Sequence, residues 1–282
     1  MTGGQVRVAA VQMTSGADSS VNVDNAVAMT LDAASQSATY IQLPEYFNYY
    51  GPSANYNIVA ESIPGPTTDR LAEIATSKRV VVHIGSMLEK DPASDKCFNT
   101  SAVIMPDGSI GATYRKTHLF DVEVPGQVSY LESRSIAHGE RIVVAELPAF
   151  DLGLSICFDL RFPELYRTLA LRGASVFAIP SAFNAATGRA HWDTLIKARA
   201  IENHAFVVAA AQVGVTEAGL SSYGHSIIVD PWGEVLVESS STGDDVLVAT
   251  LDLDEVTRRR SQIAVLSLRR PDLYGLDADR TD

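Results

Sequence analysis

The chain has 282 residues, 46% of them hydrophobic, enough to bury one large core or two modest ones. A net charge of −12 sets it against phosphate backbones and so argues against a nucleic-acid partner. A small anionic substrate stays open, because one or two arginines can set the local sign inside a pocket.

Met1 to Met13 offers one basic residue and a short apolar run, Val6 to Val11, a poor signal peptide and far too short to span a bilayer. The expectation is a cytoplasmic protein with no membrane partner. Val6 to Val11 reads as a buried first strand. A helix follows from Val23 to Ala34, with Asn22 as its N-cap and Val23, Ala26, Val27 and Leu31 on one face. Thr39 to Leu43 reads as a second strand, stopped at Pro44. A helix from Thr68 to Lys78 turns Leu71, Ile74 and Ala75 inward, and Val80 to Ile84 is the strand after it.

Thr100 to Met105 and Ser109 to Arg115, joined by Pro106-Asp107-Gly108, read as a hairpin. Ile142 to Glu146 and Leu152 to Ile156 are strands, and Pro163 suits the first turn of a helix that runs to Leu171 and is ended by Gly173. Val176 to Ile179 is a strand and His191 to Asn203 a long helix. Phe206 to Ala211, Ser226 to Val229, Glu234 to Glu238 and Val246 to Leu251 complete the sheet material, with Ser239 to Gly243 as a hairpin tip. Alternating strands and helices indicate an α/β protein. No composition shift divides the chain, so residues 1–282 read as a single domain. A weak internal echo, strand–helix–strand from Val8 and again from Leu154, suggests two related sheets covered by helices.

Three reactive residues follow strand ends: Glu45 after Leu43-Pro44, Lys116 after Arg115 and Cys157 after Leu152 to Ile156. Ligands gather at the carboxyl ends of strands in α/β sheets. A thiol with a reference pKa of about 8.5 is mostly protonated at neutral pH. A carboxylate beside it can take the proton as sulfur attacks a carbonyl, while a lysine and the Phe158 amide N–H stabilise the oxyanion. Singly, each residue has a plainer reading: a core thiol, a loop carboxylate, a surface ammonium. The two cysteines, Cys97 and Cys157, are too few for a disulfide framework. His118, His191, His204 and His225 show no metal-ligand spacing, so neither a metal nor another cofactor is expected.

Around these residues the sequence resembles the nitrilase, or carbon–nitrogen hydrolase, superfamily. Leu43-Pro44-Glu45-Tyr46-Phe47, Tyr114 to Asp121 and Ile156 to Glu164 are similar to its base, lysine and nucleophile motifs, in family order and roughly 40 to 70 residues apart. The resemblance runs from Val6 to about Tyr274. It implies an αββα four-layer sandwich that dimerises through helices, a Glu45–Lys116–Cys157 triad, and a second glutamate, Glu132, that orients the lysine and substrate. Phe158-Asp159 in place of Trp-Glu, and Leu160 in place of a first arginine, favour the amidase branch of ω-amidases and deaminated-glutathione amidases over nitrilases or carbamoylases. In that branch Arg161, Phe183 and Thr187 stand where a substrate carboxylate binds. Arg161 has a second reading as an ion-pair partner of Asp159 or Glu164. Trp192 reads as core-facing and His191 as a brace of the pocket loop, while Asn184 carries no assignment. The expected reaction is thioester-mediated hydrolysis of a small carboxylate-bearing amide such as deaminated glutathione or 2-oxoglutaramate. A non-catalytic binding protein, or one using Cys157 as a redox sensor, is the competing class.

Overall fold

The computed structural model describes residues 4–124, 128–217, 219–240 and 242–274; both ends of the 1–282 span lie outside these. The first strand, Gln5–Gln12, shows how the layers form. Its period-two alternation sends Val6, Val8 and Ala10 to one face and Ala9 and Val11 to the other. The second face packs on helices Ser19–Ser35 and Pro66–Lys78 through Val23, Ala26, Leu71, Ile74 and Ala75. Burying one such leucine or isoleucine contributes roughly 1.5–3 kcal/mol. The first face packs on a second sheet, whose outer side is covered by helices Pro163–Leu171 and Ala185–Asn203. The result is a four-layer αββα sandwich.

In the first sheet Gln5–Gln12, Tyr40–Gln42 and Val81–His83 run parallel, and Asp245–Asp252 pairs antiparallel with Gln5–Gln12. Val81–His83 and Met87–Lys90 both pair with Cys97–Ile104, which also pairs with Ile110–Arg115. In the second sheet Asp151–Leu154, Val176–Ala178 and Phe206–Ala209 run parallel, flanked by Val144–Glu146 on one side and by Ile227–Val229 and Val235–Glu238 on the other. Each sheet thus carries a strand–helix–strand–helix–strand unit at its centre, in line with the echo in the sequence. The Gln42 side chain ties the sheets together, donating to the Val208 carbonyl at 3.0 Å.

Several local expectations are corrected. The first helix starts at Ser19, capped by Asp18, whose carboxylate accepts from the N–H groups of Ser20 and Val21. Asn22 is instead buried inside the helix, bonded to Gly16 and to the Asn48 carbonyl. Leu31 is 38% exposed and does not join the inner face. The long helix begins at Ala185, not His191, because the Asn184 side chain caps it. The stretch 239–243 is no hairpin tip: Val235–Glu238 belongs to the second sheet and Asp245–Asp252 to the first, so the segment crosses between sheets. Ser241 lies outside the described residues. Elements with no counterpart in the sequence reading include the short helix Tyr56–Val59, strand Met87–Lys90, the pair Asp121–Val124 with Val128–Leu131, the pair Val213–Val215 with Ser221–Tyr223, and helix Asp254–Gln262. Among the described residues no helix is long and apolar enough to cross a membrane.

Candidate active site

Glu45 lies just past strand Tyr40–Gln42, and the neighbouring backbone comes unusually close to it. Gly85 has φ +67°, and a Cβ there would fall 2.1 Å from the Pro44 carbonyl oxygen and 2.2 Å from that of Leu43. Only glycine permits that approach. Lys116 is held in a similar way. Its N–H donates to Asn99 O at 2.9 Å, its carbonyl accepts from Gly139 N–H at 2.8 Å, and a Cβ on Gly139 would fall 2.0 Å from Arg115 O.

The Lys116 side chain is 2% exposed and lies between two carboxylates. Its Nζ donates to Glu45 Oε1 at 2.9 Å and to Glu132 Oε2 and Oε1 at 2.9 and 3.1 Å. A buried charge cluster persists only when its remaining lone pairs are met, and here they are. Glu45 Oε1 also accepts from Asn99 Nδ2 at 2.9 Å, and Glu45 Oε2 from Ala182 N–H at 2.7 Å. Glu132 accepts from the Tyr46 hydroxyl at 2.8 Å and from Phe120 N–H at 2.6 Å. Burial alone would push the Lys116 ammonium down. The charges of Glu132 and Glu45 outweigh it and hold the group well above the ordinary lysine range.

Cys157 leaves strand Asp151–Leu154 at the head of a short 3₁₀ turn, Cys157–Arg161. Its φ of +46° is in the left-handed region that a non-glycine residue enters only under constraint. The constraint is visible: Cys157 N–H donates to Pro180 O at 2.9 Å, and Ile156 N–H to Asp159 Oδ2 at 2.8 Å. Burial first, then the nearby Glu45 charge, push the thiol well above the usual cysteine range, with Lys116 pulling the other way. The resting group is therefore a thiol and needs a base. Among the described residues the Phe158 N–H donates to no protein acceptor.

Asp159 is fully buried and clamps the nucleophile turn to the lysine segment. Besides Ile156 N–H, it accepts from the Tyr114 hydroxyl at 2.7 Å, His118 N–H at 3.1 Å and Thr117 Oγ1 at 3.2 Å, and His118 Nδ1 lies 2.7 Å from Oδ1. It is thus no partner of Arg161, which pairs with neither Asp159 nor Glu164. The Arg161 guanidinium instead lies over the rings of Phe183 and Phe158, at 5.2 and 5.8 Å, with His191 Nδ1 3.3 Å from Nη1. Burial draws its pKa down.

Glu45, Lys116, Glu132, Cys157 and Arg161 line one cavity of about 570 Å³. One arc of its wall is Phe183, Arg161, Phe158 and Phe120, the last two ring-to-ring at 5.1 Å. The other is tyrosine: Tyr130 lies 6.2 Å from Phe120, its hydroxyl meets that of Tyr56 at 3.5 Å, and Tyr46 stacks on Tyr50 at 6.0 Å. The structure so gathers Glu45, Lys116, Glu132, Cys157, Phe158, Arg161, Phe183 and Thr187 at one site. Thr187 borders it with its hydroxyl donating to Asn184 O at 3.3 Å. Trp192 is core-facing, its indole N–H donating to His225 O at 2.8 Å. Asn99, the clamping role of Asp159 and the tyrosine arc are what sequence reasoning missed. For the arc, the aromatic run Tyr46-Phe47-Asn48-Tyr49-Tyr50 beside Glu45 was the available signal. Among the described residues no three His, Cys, Asp or Glu side chains gather as a metal site.

Residues 7–261 match a family model described as carbon-nitrogen hydrolase. Omega-amidase NIT2 of Homo sapiens is 37% identical over 271 residues, covering 96% of this chain and 97% of that protein. The crystal structure of the NitFhit protein of Caenorhabditis elegans superposes with a TM-score of 0.91 at 39% identity, covering 98% of this chain and 68% of that one. An amidase from Nesterenkonia sp. AN1, solved with the acetamide moiety of fluoroacetamide added covalently at its active-site cysteine, superposes at 0.80 with 26% identity, covering 97% of each chain.

Proposed function

This chain belongs to the carbon–nitrogen hydrolase family, and from that premise we propose that Cys157 is its nucleophile, Glu45 its acid/base and Lys116 with the Phe158 N–H its oxyanion stabilisers. The enzyme is a cysteine-dependent amidase. In the proposed sequence Cys157 Sγ bonds to the amide carbon while its proton passes to Glu45. The oxygen takes up negative charge beside Lys116 and Phe158 N–H, where losing one donor typically costs about 3 kcal/mol of transition-state stabilisation. Protonated Glu45 gives the proton to the departing nitrogen as the C–N bond breaks, leaving a thioester. Glu45 then removes a proton from water as it attacks the thioester, and returns it to the leaving sulfur. The thiol, kept protonated by its burial, fits this base-assisted attack better than a redox sensor that rests as thiolate.

The substrate we infer is a small amide with a free carboxylate, of the kind that the name omega-amidase implies for the NIT2 relatives. One observation carries this: Arg161 is a half-buried cation at the cavity wall with no carboxylate partner among the described residues. A charge-assisted bond to substrate contributes roughly 1.5–3 kcal/mol. Arg161→Met should therefore lower kcat/KM about 10- to 150-fold for glutaric acid monoamide and leave its methyl ester almost unaffected. Equal losses on both compounds would refute the carboxylate reading. We also read the whole chain as a single domain acting as a homodimer in the cytoplasm. The exposed apolar Ile201 and Trp232 (48% and 43%) support the dimer.

A further inference from the structure

Strand Cys97–Ile104 turns alternate residues toward the second sheet, Val103 among them. Asn99 shares that face and is fully buried, where the pattern calls for a hydrocarbon. A buried amide is kept where its bonds are made, and those of the Asn99 side chain go one way. Its Nδ2 donates to Glu45 Oε1 at 2.9 Å and, in a longer bond, to Glu132 Oε1 at 3.4 Å, while its Oδ1 meets no protein donor among the described residues. Turning the amide over would set that oxygen against both carboxylates, so their charge fixes its direction. Asn99 is not among the residues that line the cavity, so it reaches the chemistry only through the two acids. Its main chain serves the same cluster, since Asn99 O accepts from Lys116 N–H at 2.9 Å.

The acids need such a donor. Glu45 and Glu132 both present Oε1 to Lys116, which sets one positive charge against two negative ones. Like charges so placed take up a proton more readily, and a protonated Glu45 cannot accept one from Cys157. A neutral amide bonded to both carboxylates favours their charged forms without adding charge of its own. It also fills Glu45 Oε1 alongside Lys116, leaving Oε2 to exchange the proton. We infer that Asn99 is a positioning residue that keeps Glu45 ionised and oriented as the base. The inference rests on Glu45 being the base and adds what maintains it in that state.

Alkylation of Cys157 by iodoacetamide reads the base without an amide substrate: the sulfur displaces iodide from carbon while its proton passes to Glu45. The mass gain of the peptide containing Cys157, followed from about pH 4.5 to 8, gives the rate. The titratable groups facing Glu45 are Lys116, Glu132, Cys157 and the phenols of Tyr46, Tyr50 and Tyr130. Burial keeps the thiol and the phenols protonated over this range, and Lys116 stays charged, so the acid pair sets the acid limb. Wild type should lose rate on the acid side, and Glu45→Gln should remove that dependence. Asn99→Leu keeps the size of the side chain and Asn99→Ser leaves space; they share only the loss of the Nδ2 donor. Both should move the limb up by about one pH unit or more, at least a tenfold loss at a fixed pH on it, with thermal melts verifying the fold. A limb that stays in place in a folded variant, or failure of both variants to fold, overturns the role of Asn99 and leaves Glu45 as the base. A limb that survives Glu45→Gln overturns both.

Discussion

Asp159→Asn is the sharpest test of how the site is held. The carboxylate receives hydrogen bonds from Ile156 N–H and the Tyr114 hydroxyl on Oδ2, and from His118 N–H and Thr117 on Oδ1. An asparagine has one acceptor oxygen, so its NH₂ must face a backbone N–H whichever way the amide turns. At least two bonds are lost and a donor is set against a donor. Bonds to a charged acceptor contribute roughly 1.5–3 kcal/mol each, so the loss should be about 3–6 kcal/mol. That is a large share of the 5–15 kcal/mol typical of a folded domain. Because Asp159 joins the Cys157 turn to the Lys116 segment, kcat of the folded fraction should fall about 100-fold, the effect of a displacement of about 1 Å, with KM changing less. Urea unfolding gives the stability change, and steady-state kinetics on glutaric acid monoamide gives the split. A loss below about 1 kcal/mol with near-normal kcat would refute the clamp.

His83 is buried between the sheets beside Ser101, and desolvation lowers its pKa from 6.5 to about 3. Below pH 6.5 the unfolded chain binds a proton that the folded one refuses, so this contribution to stability is complete above pH 6.5 and is lost as pH falls. At pH 5 the loss is roughly 2 kcal/mol. The stability gap between wild type and His83→Gln should shrink by that amount from pH 7 to 5, since other titrations cancel; a constant gap would contradict the burial argument. Gly85→Ala should abolish most activity and lower the melting temperature, because the added Cβ collides with the backbone before Glu45 and the residue stays at φ +67°. Full activity in that variant would show that the strand end is not held there.

Much of this site was legible before any coordinates. The strand-end positions of Glu45, Lys116 and Cys157, and the inward faces of helix Pro66–Lys78, follow from apolar periodicity and turn residues. Other features had no local signal. Helix Asp254–Gln262 buries only Val256, so its charged sequence shows no apolar stripe. Asn22 looks like a cap until Gly16 and Asn48 claim its side chain. The start of the long helix was hidden because Thr187-Gly188 reads as loop while Asn184 caps it from outside. Asp159 gave nothing away because most of its partners belong to the distant lysine segment, which only the fold brings near.

The central assignment, Cys157 as nucleophile, is tested most directly by quenching the enzyme in acid during turnover of N-propyl glutaric acid monoamide and weighing its peptides. The peptide containing Cys157 should gain the glutaryl group without propylamine, and Cys157→Ala should show neither adduct nor hydrolysis. An adduct on another residue, or steady hydrolysis by Cys157→Ala, would contradict the assignment.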